Sequence, residues 1–277
     1  MPMLQRIVQY LRKLIPRGWS PILVFLSSKI KHLQEYPAKM ENGETIYLDL
    51  SQKMCHGYFY NGRVEHEEFT DIFLEKSLDT GDTFVDVGAN VGYFSILAGN
   101  IVGGEGQVHS FEPYPKAYSI LKMNTEYRDN IKIYDIALSN VKGKSEFSIM
   151  DEGDRSSIGT NKNARKVVNI KKNKLDNVLN KGVPKVDVIK IDVEGHELEV
   201  MEGAREVIRA YKPIIYFEYT YIYRNNKYNF EEFENFLEEK KYSLKWVEMD
   251  NPSEGIIGSE DATYIIAIPE SRIEKID

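Results

Sequence analysis

The chain has 277 residues, of which 42% are hydrophobic, so it can bury one large core or a core with a small appendage. Its net charge of −7 argues against a groove for nucleic acid. The single cysteine, Cys55, excludes an intrachain disulfide and a cysteine-clamped metal site, and fits a reducing compartment.

The first 40 residues differ from the rest in charge, because they carry seven basic side chains against Glu35 alone. Apolar residues at helical spacing predict a basic amphipathic helix over Met3–Ile15. Such a helix can lie on an anionic membrane or pack on the protein body, and a stripe of this length is typical of packed helices. The apolar run at 22–26 is too short to span a bilayer, so we expect a cytoplasmic protein, with peripheral membrane contact as the alternative.

Residues 1–60 are predicted to form an N-terminal cap, and residues 61–277 the main domain, in which strands and helices alternate. The predicted strands are 83–88, 107–113, 131–138, 186–193 and 213–219. The predicted helices lie near 91–101, 116–127, 196–210 and 229–241. This alternation predicts an α/β fold with a mostly parallel sheet covered by helices on both faces.

Two further segments complete the predicted architecture. The polar insertion 143–172 is expected to hold a pair of short strands and a mobile loop. In the tail, the strands predicted at 242–250 and 262–269 are joined by a connection that leaves no room for a crossover helix. These two strands are therefore expected to be antiparallel neighbours.

A glycine turn follows the first strand of the main domain, in the stretch DVGANVG. Gly88 and Gly92 bracket a turn in which bare backbone N–H groups can approach a ligand, and Asp86 stands near the end of the strand. Glu112 ends the next strand, 20 residues after Gly92, where it can accept hydrogen bonds from two ribose hydroxyls.

The ligand suggested by this pattern has a ribose, a carboxylate and a positive charge but no phosphate. S-adenosylmethionine has these groups. NAD fits less well, because the fingerprint G-x-G-x-x-G needs a second glycine two residues after the first, and GANVG lacks it.

Four stretches in order closely resemble the FkbM-type S-adenosylmethionine-dependent methyltransferases, a branch of the Rossmann-like methyltransferases. They are GDTFVDVGANVGYFS, HSFEPYPKAYSILKMN, KLDNVL and VIKIDVEGHELEVMEGA. The resemblance implies a seven-stranded sheet with an antiparallel last strand, and methyl transfer, usually to a hydroxyl oxygen of a sugar, glycolipid or secondary metabolite.

The resemblance also implies roles for individual residues. Asp86, Gly88, Asn90 and Gly92 would hold the methionine end of the cofactor, and Glu112 the ribose. The end of the third strand would lie along the adenine, with Asp135 and Ala137 as the candidate contacts.

Acidic residues end the fourth and fifth strands: Asp192 and Glu194 in IKIDVEGHE, and Glu218 in IYFEYT. Carboxyl groups at the ends of buried strands favour a site over ordinary core. A hydroxyl acceptor must lose its proton, so Asp192, Glu194 and His196 are candidate general bases, with Glu218 beside them. His196 fits equally well as a surface residue at the start of a helix.

The same acids could bind Mg²⁺, but two or three carboxyl groups near a ligand more often position hydroxyls, so no metal site is predicted. Acceptor contacts are expected from the cap and the insertion. The candidates are Tyr58, Tyr60, Glu65, Ser156 and Ser157. Their alternative interpretation is tyrosines packed on the body and serines in a solvated turn.

The function predicted from the sequence is O-methylation of a sugar, glycolipid or related small molecule, with a small-molecule or glycan acceptor and no nucleic acid. Two alternatives stay open. One is a catalytically silent cofactor-binding protein or membrane scaffold of a biosynthetic complex, and the other, less favoured, is an NAD-linked oxidoreductase.

Overall fold

The computed structural model describes residues 3–14, 19–63, 68–149, 157–159, 164, 166–179, 183–219, 229–247 and 264–275. Within these residues the α-helices are α1 (Met3–Leu14), α2 (Trp19–Lys29), α3 (Cys55–Asn61), α4 (Glu68–Ser77), α5 (Tyr93–Val102), α6 (Pro115–Thr125), α7 (Leu175–Leu179), α8 (Glu197–Glu202), α9 (Arg205–Tyr211) and α10 (Phe230–Glu238). The strands are β1 (Tyr36–Lys39), β2 (Thr45–Leu48), β3 (Thr83–Val87), β4 (Gln107–Phe111), β5 (Ile131–Tyr134), β6 (Ala137–Leu138), β7 (Gly143–Ile149), β8 (Ser157–Ile158), β9 (Lys166–Asn173), β10 (Val188–Ile191), β11 (Ile214–Glu218), β12 (Tyr242–Val247) and β13 (Tyr264–Pro269). Short 3₁₀ segments cover Lys31–Gln34 and Glu270–Lys275.

The central sheet has seven strands in the order β12-β13-β11-β10-β3-β4-β5. Strands β11, β10, β3, β4 and β5 pair in parallel, whereas β13 is antiparallel to both β11 and β12. This is the Rossmann-like, mostly parallel sheet with an antiparallel last strand that the sequence predicted. The predicted pairing of the two tail strands is also confirmed, with Trp246 opposite Ile265.

Two predicted elements are broken in the structure. The strand predicted at 131–138 ends at Tyr134, and β6 pairs instead with β9 in a second sheet. The helix predicted at 196–210 is divided into α8 and α9 at Gly203. A Cβ atom on Gly203 would lie 2.1 Å from the Ser139 carbonyl oxygen, so the close approach of these two backbones accompanies the break.

The polar insertion forms most of the second sheet, which has the strand order β6-β9-β7-β8. The long pair in it, β7 with β9, is antiparallel and agrees with the predicted pair of strands, while β8 is an additional short strand on β7. The loop predicted between them falls mainly on residues 150–156, 160–163 and 165, which lie outside the described residues.

The core lies on both faces of the central sheet, because successive side chains of a strand point to opposite faces. On β3, Val85 and Val87 belong to a cluster with α8, α9 and α10, whereas Phe84 belongs to a cluster with α4 and α5. All five residues of β3 are buried, as expected for a parallel strand covered on both sides.

The N-terminal segment packs on the main domain. Val8, Leu48, Ile96 and Ile120 share one hydrophobic cluster, and they come from α1, β2, α5 and α6. The buried side chain of Gln5 on α1 donates hydrogen bonds of 3.0 Å to the carbonyl oxygens of both Lys39 and Phe59. The division into a cap and a main domain at residue 60 stays a prediction.

Across the part of the chain that the structure describes, no helix combines the length and the apolar composition needed to cross a bilayer.

Candidate functional site

A cavity of about 250 Å³ lies at the carboxyl ends of the central parallel strands. This edge is where ligands bind in open α/β sheets. Polar and glycine residues at or just after the ends of β3, β4, β10 and β11 line it, namely Gly88, Asn90, Glu112, Lys190, Asp192, Glu194 and Glu218. Met54, Cys55 and Tyr58 from the start of α3 form another wall, so the N-terminal segment completes the cavity.

The glycine turn after β3 adopts a backbone conformation that side chains disfavour. Gly88 has a φ of 81°, Asn90 of 51° and Gly92 of 91°. A Cβ atom on Gly88 would lie 1.9 Å from the Asp192 carbonyl oxygen. Gly88 therefore lets the ends of β3 and β10 approach each other, in addition to lining the cavity.

Glu112 joins the glycine turn to the start of α6. Its Oε2 accepts a hydrogen bond of 2.9 Å from the Asn90 N–H, and its Oε1 accepts one of 2.8 Å from the Tyr114 N–H. Burial raises the pKa of Glu112 to about 7, against the opposing effect of these two hydrogen bonds. Each carboxylate oxygen can accept more than one hydrogen bond, so Glu112 remains able to bind a ligand hydroxyl.

Asp86 lies beneath the turn, fully buried on β3, and does not line the cavity. Its Oδ2 accepts a 2.6 Å hydrogen bond from Ser95 Oγ, and its Oδ1 lies 3.8 Å from Lys190 Nζ. Burial raises the pKa of Asp86, while the Lys190 ammonium opposes that shift.

Three carboxyl groups converge at the ends of β10 and β11. One oxygen each from Asp192, Glu194 and Glu218 lies within 4.8 Å of the others. Burial, and then the charges of Asp192 and Glu194, raise the pKa of Glu218 well above its ordinary value. Glu218 Oε2 has no hydrogen-bond partner among the described residues. At neutral pH, Glu218 is therefore expected to be protonated and able to donate a hydrogen bond.

Lys190 is a site residue that the sequence analysis missed. It is 2% exposed on β10, with Nζ 3.3 Å from Asp192 Oδ2 and 5.1 Å from the centre of the Phe94 ring. The available signal was a lysine between two isoleucines in a predicted buried strand, two residues before Asp192 and hence on the same side.

Glu197 was also missed, although it shapes the chain next to the cavity. Its carboxylate is fully buried and accepts hydrogen bonds from the N–H groups of Val193, at 3.0 Å, and Gly195, at 3.2 Å. Burial raises the pKa of Glu197 to about 8.

His196 is one of the predicted site residues that do not line the cavity. His196 is buried between Ser139, whose Oγ is 3.0 Å from its Nε2, and Glu199, whose Oε1 is 3.2 Å from its Nδ1. The positive φ angles of Glu194, 53°, and Gly195, 101°, turn the chain at this point, and His196 does not line the cavity. The structure therefore does not support His196 as a general base.

Asp135 also lies away from the cavity, on the surface. It pairs there with the exposed Lys171, 2.9 Å away. The next two residues, Ile136 and Ala137, line the cavity, whereas Asp135 does not. The early end of β5 separates Asp135 from the sheet.

Of the residues predicted to contact the acceptor, some line the cavity and others do not. Tyr58 lines the cavity and packs on Tyr93, with ring centres 4.7 Å apart. Tyr60 does not line it, and Arg12 lies 4.0 Å over its ring. Glu65 and Ser156 lie outside the described residues. Ser157 belongs to β8, whose next residue, Ile158, lines the cavity.

The cluster of Asp192, Glu194 and Glu218 has oxygen ligands of the kind that Mg²⁺ prefers. The ammonium group of Lys190 already supplies positive charge 3.3 Å from Asp192. The geometry thus permits a small cation without requiring one.

Comparison with known proteins identifies the relatives of this chain. A sequence model of the methyltransferase FkbM domain matches residues 86–244, more than half of the chain. The hexuronic acid methyltransferase AglP of Haloferax volcanii is 29% identical over 147 residues, 52% of this chain and 58% of AglP. The methyltransferase sdnD of Sordaria araneosa is 27% identical over 175 residues, 50% of this chain and 67% of sdnD. The chain thus spans less than two thirds of AglP.

Solved structures with similar folds include a methyltransferase FkbM from Methylobacillus flagellatus KT. It is 16% identical, with a TM-score of 0.47, over 69% of this chain and 44% of that one. Another is the fibrillarin of Aeropyrum pernix, solved with natively bound S-adenosyl-L-methionine. It is 15% identical, with a TM-score of 0.46, over 74% of this chain and 76% of that one. On the match over residues 86–244, the chain belongs to the FkbM methyltransferase family.

Proposed function

We propose that this chain transfers the methyl group of S-adenosylmethionine to a hydroxyl oxygen of a sugar or a related polar small molecule. Family membership supports methyl transfer. The name of AglP, a hexuronic acid methyltransferase, supports a carbohydrate acceptor. Three carboxyl groups facing one cavity suit an acceptor with several hydroxyls, because each can form hydrogen bonds with them.

The residues around the cavity fit this cofactor. Glu112 would accept hydrogen bonds from the ribose, and the turn from Gly88 to Gly92 would lie along the methionine part. Phe111, Ala137 and Leu138 give the cavity an apolar wall suited to the adenine. The carboxyl groups of Asp192 and Glu194, which both line the cavity, suit a positively charged ligand. When bound, S-adenosylmethionine supplies a methyl group on a positively charged sulfur.

Asp192 is the proposed general base. It lines the cavity at the end of β10, with the ammonium of Lys190 3.3 Å from its Oδ2. An ionised Asp192 can take the proton from an acceptor hydroxyl. Glu218, with its raised pKa, would instead hold the acceptor oxygen by donating a hydrogen bond. Glu194 would bind a neighbouring hydroxyl.

The observation that carries this proposal is the meeting of Asp192, Glu194 and Glu218 in the same cavity as the glycine turn and Glu112. Calorimetric titration with S-adenosylmethionine tests the cofactor, with NAD⁺ as the comparison ligand. We expect micromolar binding by the wild-type chain, at least tenfold weaker binding by Glu112→Ala, and no heat from NAD⁺. A folded protein that binds only NAD⁺ would contradict the proposal.

The acceptor is tested by incubating the protein with methyl-labelled cofactor and a panel of sugars, uronic acids and glycolipids. Labelled products identified by mass spectrometry should be methyl ethers. Methyl esters or N-methyl products would show that the acceptor atom is not a hydroxyl oxygen.

A further inference from the structure

We propose that α1 and α2 form a surface that docks on an anionic lipid bilayer. This inference does not rest on the proposed function, since it concerns a surface outside the cavity. Its first support is the position of exposed apolar side chains. In the described part of the chain, six of the ten large hydrophobic side chains that are exposed lie within residues 3–30.

The apolar side of α1 is wider than the face that packs on the protein. Val8 is 3% exposed and belongs to the core, whereas Met3 is 77%, Ile7 45% and Tyr10 65% exposed. Met3, Ile7 and Tyr10 are spaced four and three residues apart, so they form a row on one side of the helix. Packing on the body therefore accounts for one part of the stripe and leaves this row uncovered.

α2 repeats this arrangement. Leu23 is 1% exposed, while Ile22 and Phe25 are 48% and 63% exposed. Ile30, directly after the helix, is 47% exposed. The two helices thus present two apolar rows, and clusters of exposed apolar side chains on a soluble protein mark interaction surfaces.

The charge around these rows indicates which partner fits. Arg6, Lys29 and Lys31 are exposed beside them. Residues 1–40 carry seven basic side chains against Glu35 alone, although the whole chain has a net charge of −7. An apolar row flanked by basic residues complements a bilayer with anionic headgroups. A second copy of this acidic chain would be a poorer match, because the same basic faces would meet.

The surface is joined to the cavity through α3. Gln5 of α1 donates a hydrogen bond to the Phe59 carbonyl oxygen, and Ser20 Oγ of α2 lies 2.5 Å from His56 Nδ1. Tyr58 of the same helix lines the cavity. The proposed lipid-contacting helices and the cavity therefore share α3 as a support.

Co-sedimentation of the full chain with vesicles tests this surface. We expect binding to phosphatidylcholine vesicles containing phosphatidylglycerol to be at least about tenfold tighter than to phosphatidylcholine alone, and to weaken as salt is added. Ile7→Asp combined with Phe25→Asp should reduce this binding at least tenfold. Lys29→Glu combined with Lys31→Glu should remove the preference for the anionic lipid.

The matched control is Tyr127→Asp combined with Val141→Asp, since both residues are exposed apolar side chains outside α1 and α2. It should bind vesicles like the wild type, and circular dichroism should show that all variants are folded. The proposal is overturned if the folded wild type ignores anionic vesicles, or if the Ile7 and Phe25 double variant binds them equally well. It is also overturned if sedimentation velocity shows a dimer that this double variant dissociates.

Discussion

Lys190 and Asp192 lie two residues apart on the same side of the chain at the end of β10, with Lys190 Nζ 3.3 Å from Asp192 Oδ2. The same ammonium group lies 3.8 Å from Asp86 Oδ1. One buried lysine is therefore the ion-pair partner of an acid beneath the glycine turn and of an acid that faces the cavity. This places Lys190 between the proposed cofactor side and the proposed acceptor side of the site.

Removing the Lys190 charge should destabilise the protein. Lys190→Met leaves Asp86 buried without a counter-charge, and breaking a buried ion pair in this way costs roughly 3–5 kcal/mol. The loss should be larger at pH 8 than at pH 5, because burial raises the pKa of Asp86 and a protonated Asp86 needs no partner. Urea unfolding at the two pH values measures this.

The control for that change is Lys171→Met, which removes an exposed lysine paired with Asp135 and should cost less than about 1 kcal/mol. Adding Asp86→Asn to Lys190→Met should restore part of the lost stability. Equal losses for Lys190→Met and Lys171→Met would contradict the role given to Lys190.

Asp192→Asn should slow methyl transfer without preventing cofactor binding. An asparagine cannot take the acceptor proton, so kcat should fall by about 10²–10⁴-fold. Calorimetry should show a change of less than about tenfold in the affinity for S-adenosylmethionine. Asp135→Asn, which changes an acid outside the cavity, should leave kcat unchanged. An unchanged kcat in Asp192→Asn would show that another residue is the general base.

Gly88→Ala should lower the stability of the fold more than Gly81→Ala does. Gly88 and Gly81 have nearly the same φ, 81° and 85°, but a Cβ atom would meet the Asp192 carbonyl oxygen at Gly88 and nothing within 4 Å at Gly81. Gly81→Ala should cost about 1–2 kcal/mol from its backbone conformation. Gly88→Ala should cost more and also weaken cofactor binding. Thermal unfolding and calorimetry on both variants compare the two effects.

The free energy of unfolding should fall as the pH rises from about 4.5 to about 8, in part because of Glu197. Burial raises the pKa of Glu197 from its ordinary 4.5 to about 8 in the folded chain. The folded state therefore holds the proton more tightly than the unfolded state, and this contribution to stability is lost as the proton dissociates. Glu112, with a pKa of about 7, acts in the same direction.

Glu197→Gln should flatten this pH dependence, because glutamine does not ionise and keeps a carbonyl oxygen that can accept from Val193 N–H. The exposed Glu206→Gln should leave the slope as it is. Urea unfolding at a series of pH values would show whether the slope changes in one variant only.

Chelation with EDTA should leave methyl transfer unchanged. Although Asp192, Glu194 and Glu218 are close enough together to hold a cation, the Lys190 ammonium already provides positive charge beside Asp192. The assay compares rates before and after EDTA and after adding Mg²⁺. Activity that disappears with EDTA and returns with Mg²⁺ would make the three acids a metal site.

Much of the candidate site could be located from the sequence because its residues follow strands. The carboxyl ends of parallel strands meet at one edge of a sheet, so Gly88, Glu112, Asp192 and Glu218 could be brought together without coordinates. Each stands at or just after the end of a strand with a clear apolar pattern.

Other features depend on interactions that a linear pattern does not contain. His196 is directed away from the cavity by two consecutive residues with positive φ, of which one, Glu194, is not a glycine. Lys190 lies within the apolar pattern of a buried strand, and one of its two partner acids, Asp86, is distant in sequence. The linear pattern does not show that Asp86 and Asp192 both lie beside the same ammonium group. The wall formed by α3 depends on how the N-terminal segment folds over the main domain.

The position of β13 affects how this chain can be divided. β13 lies inside the central sheet, between β11 and β12, yet it falls after residue 244, where the family match ends. A fragment limited to residues 86–244 would lack β13 and the last three residues of β12, and would leave one edge of β11 without its neighbour. Unpaired strand edges of this kind promote aggregation. The stretch that matches the family model therefore lacks a strand that joins the edge strand β12 to the parallel part of the central sheet.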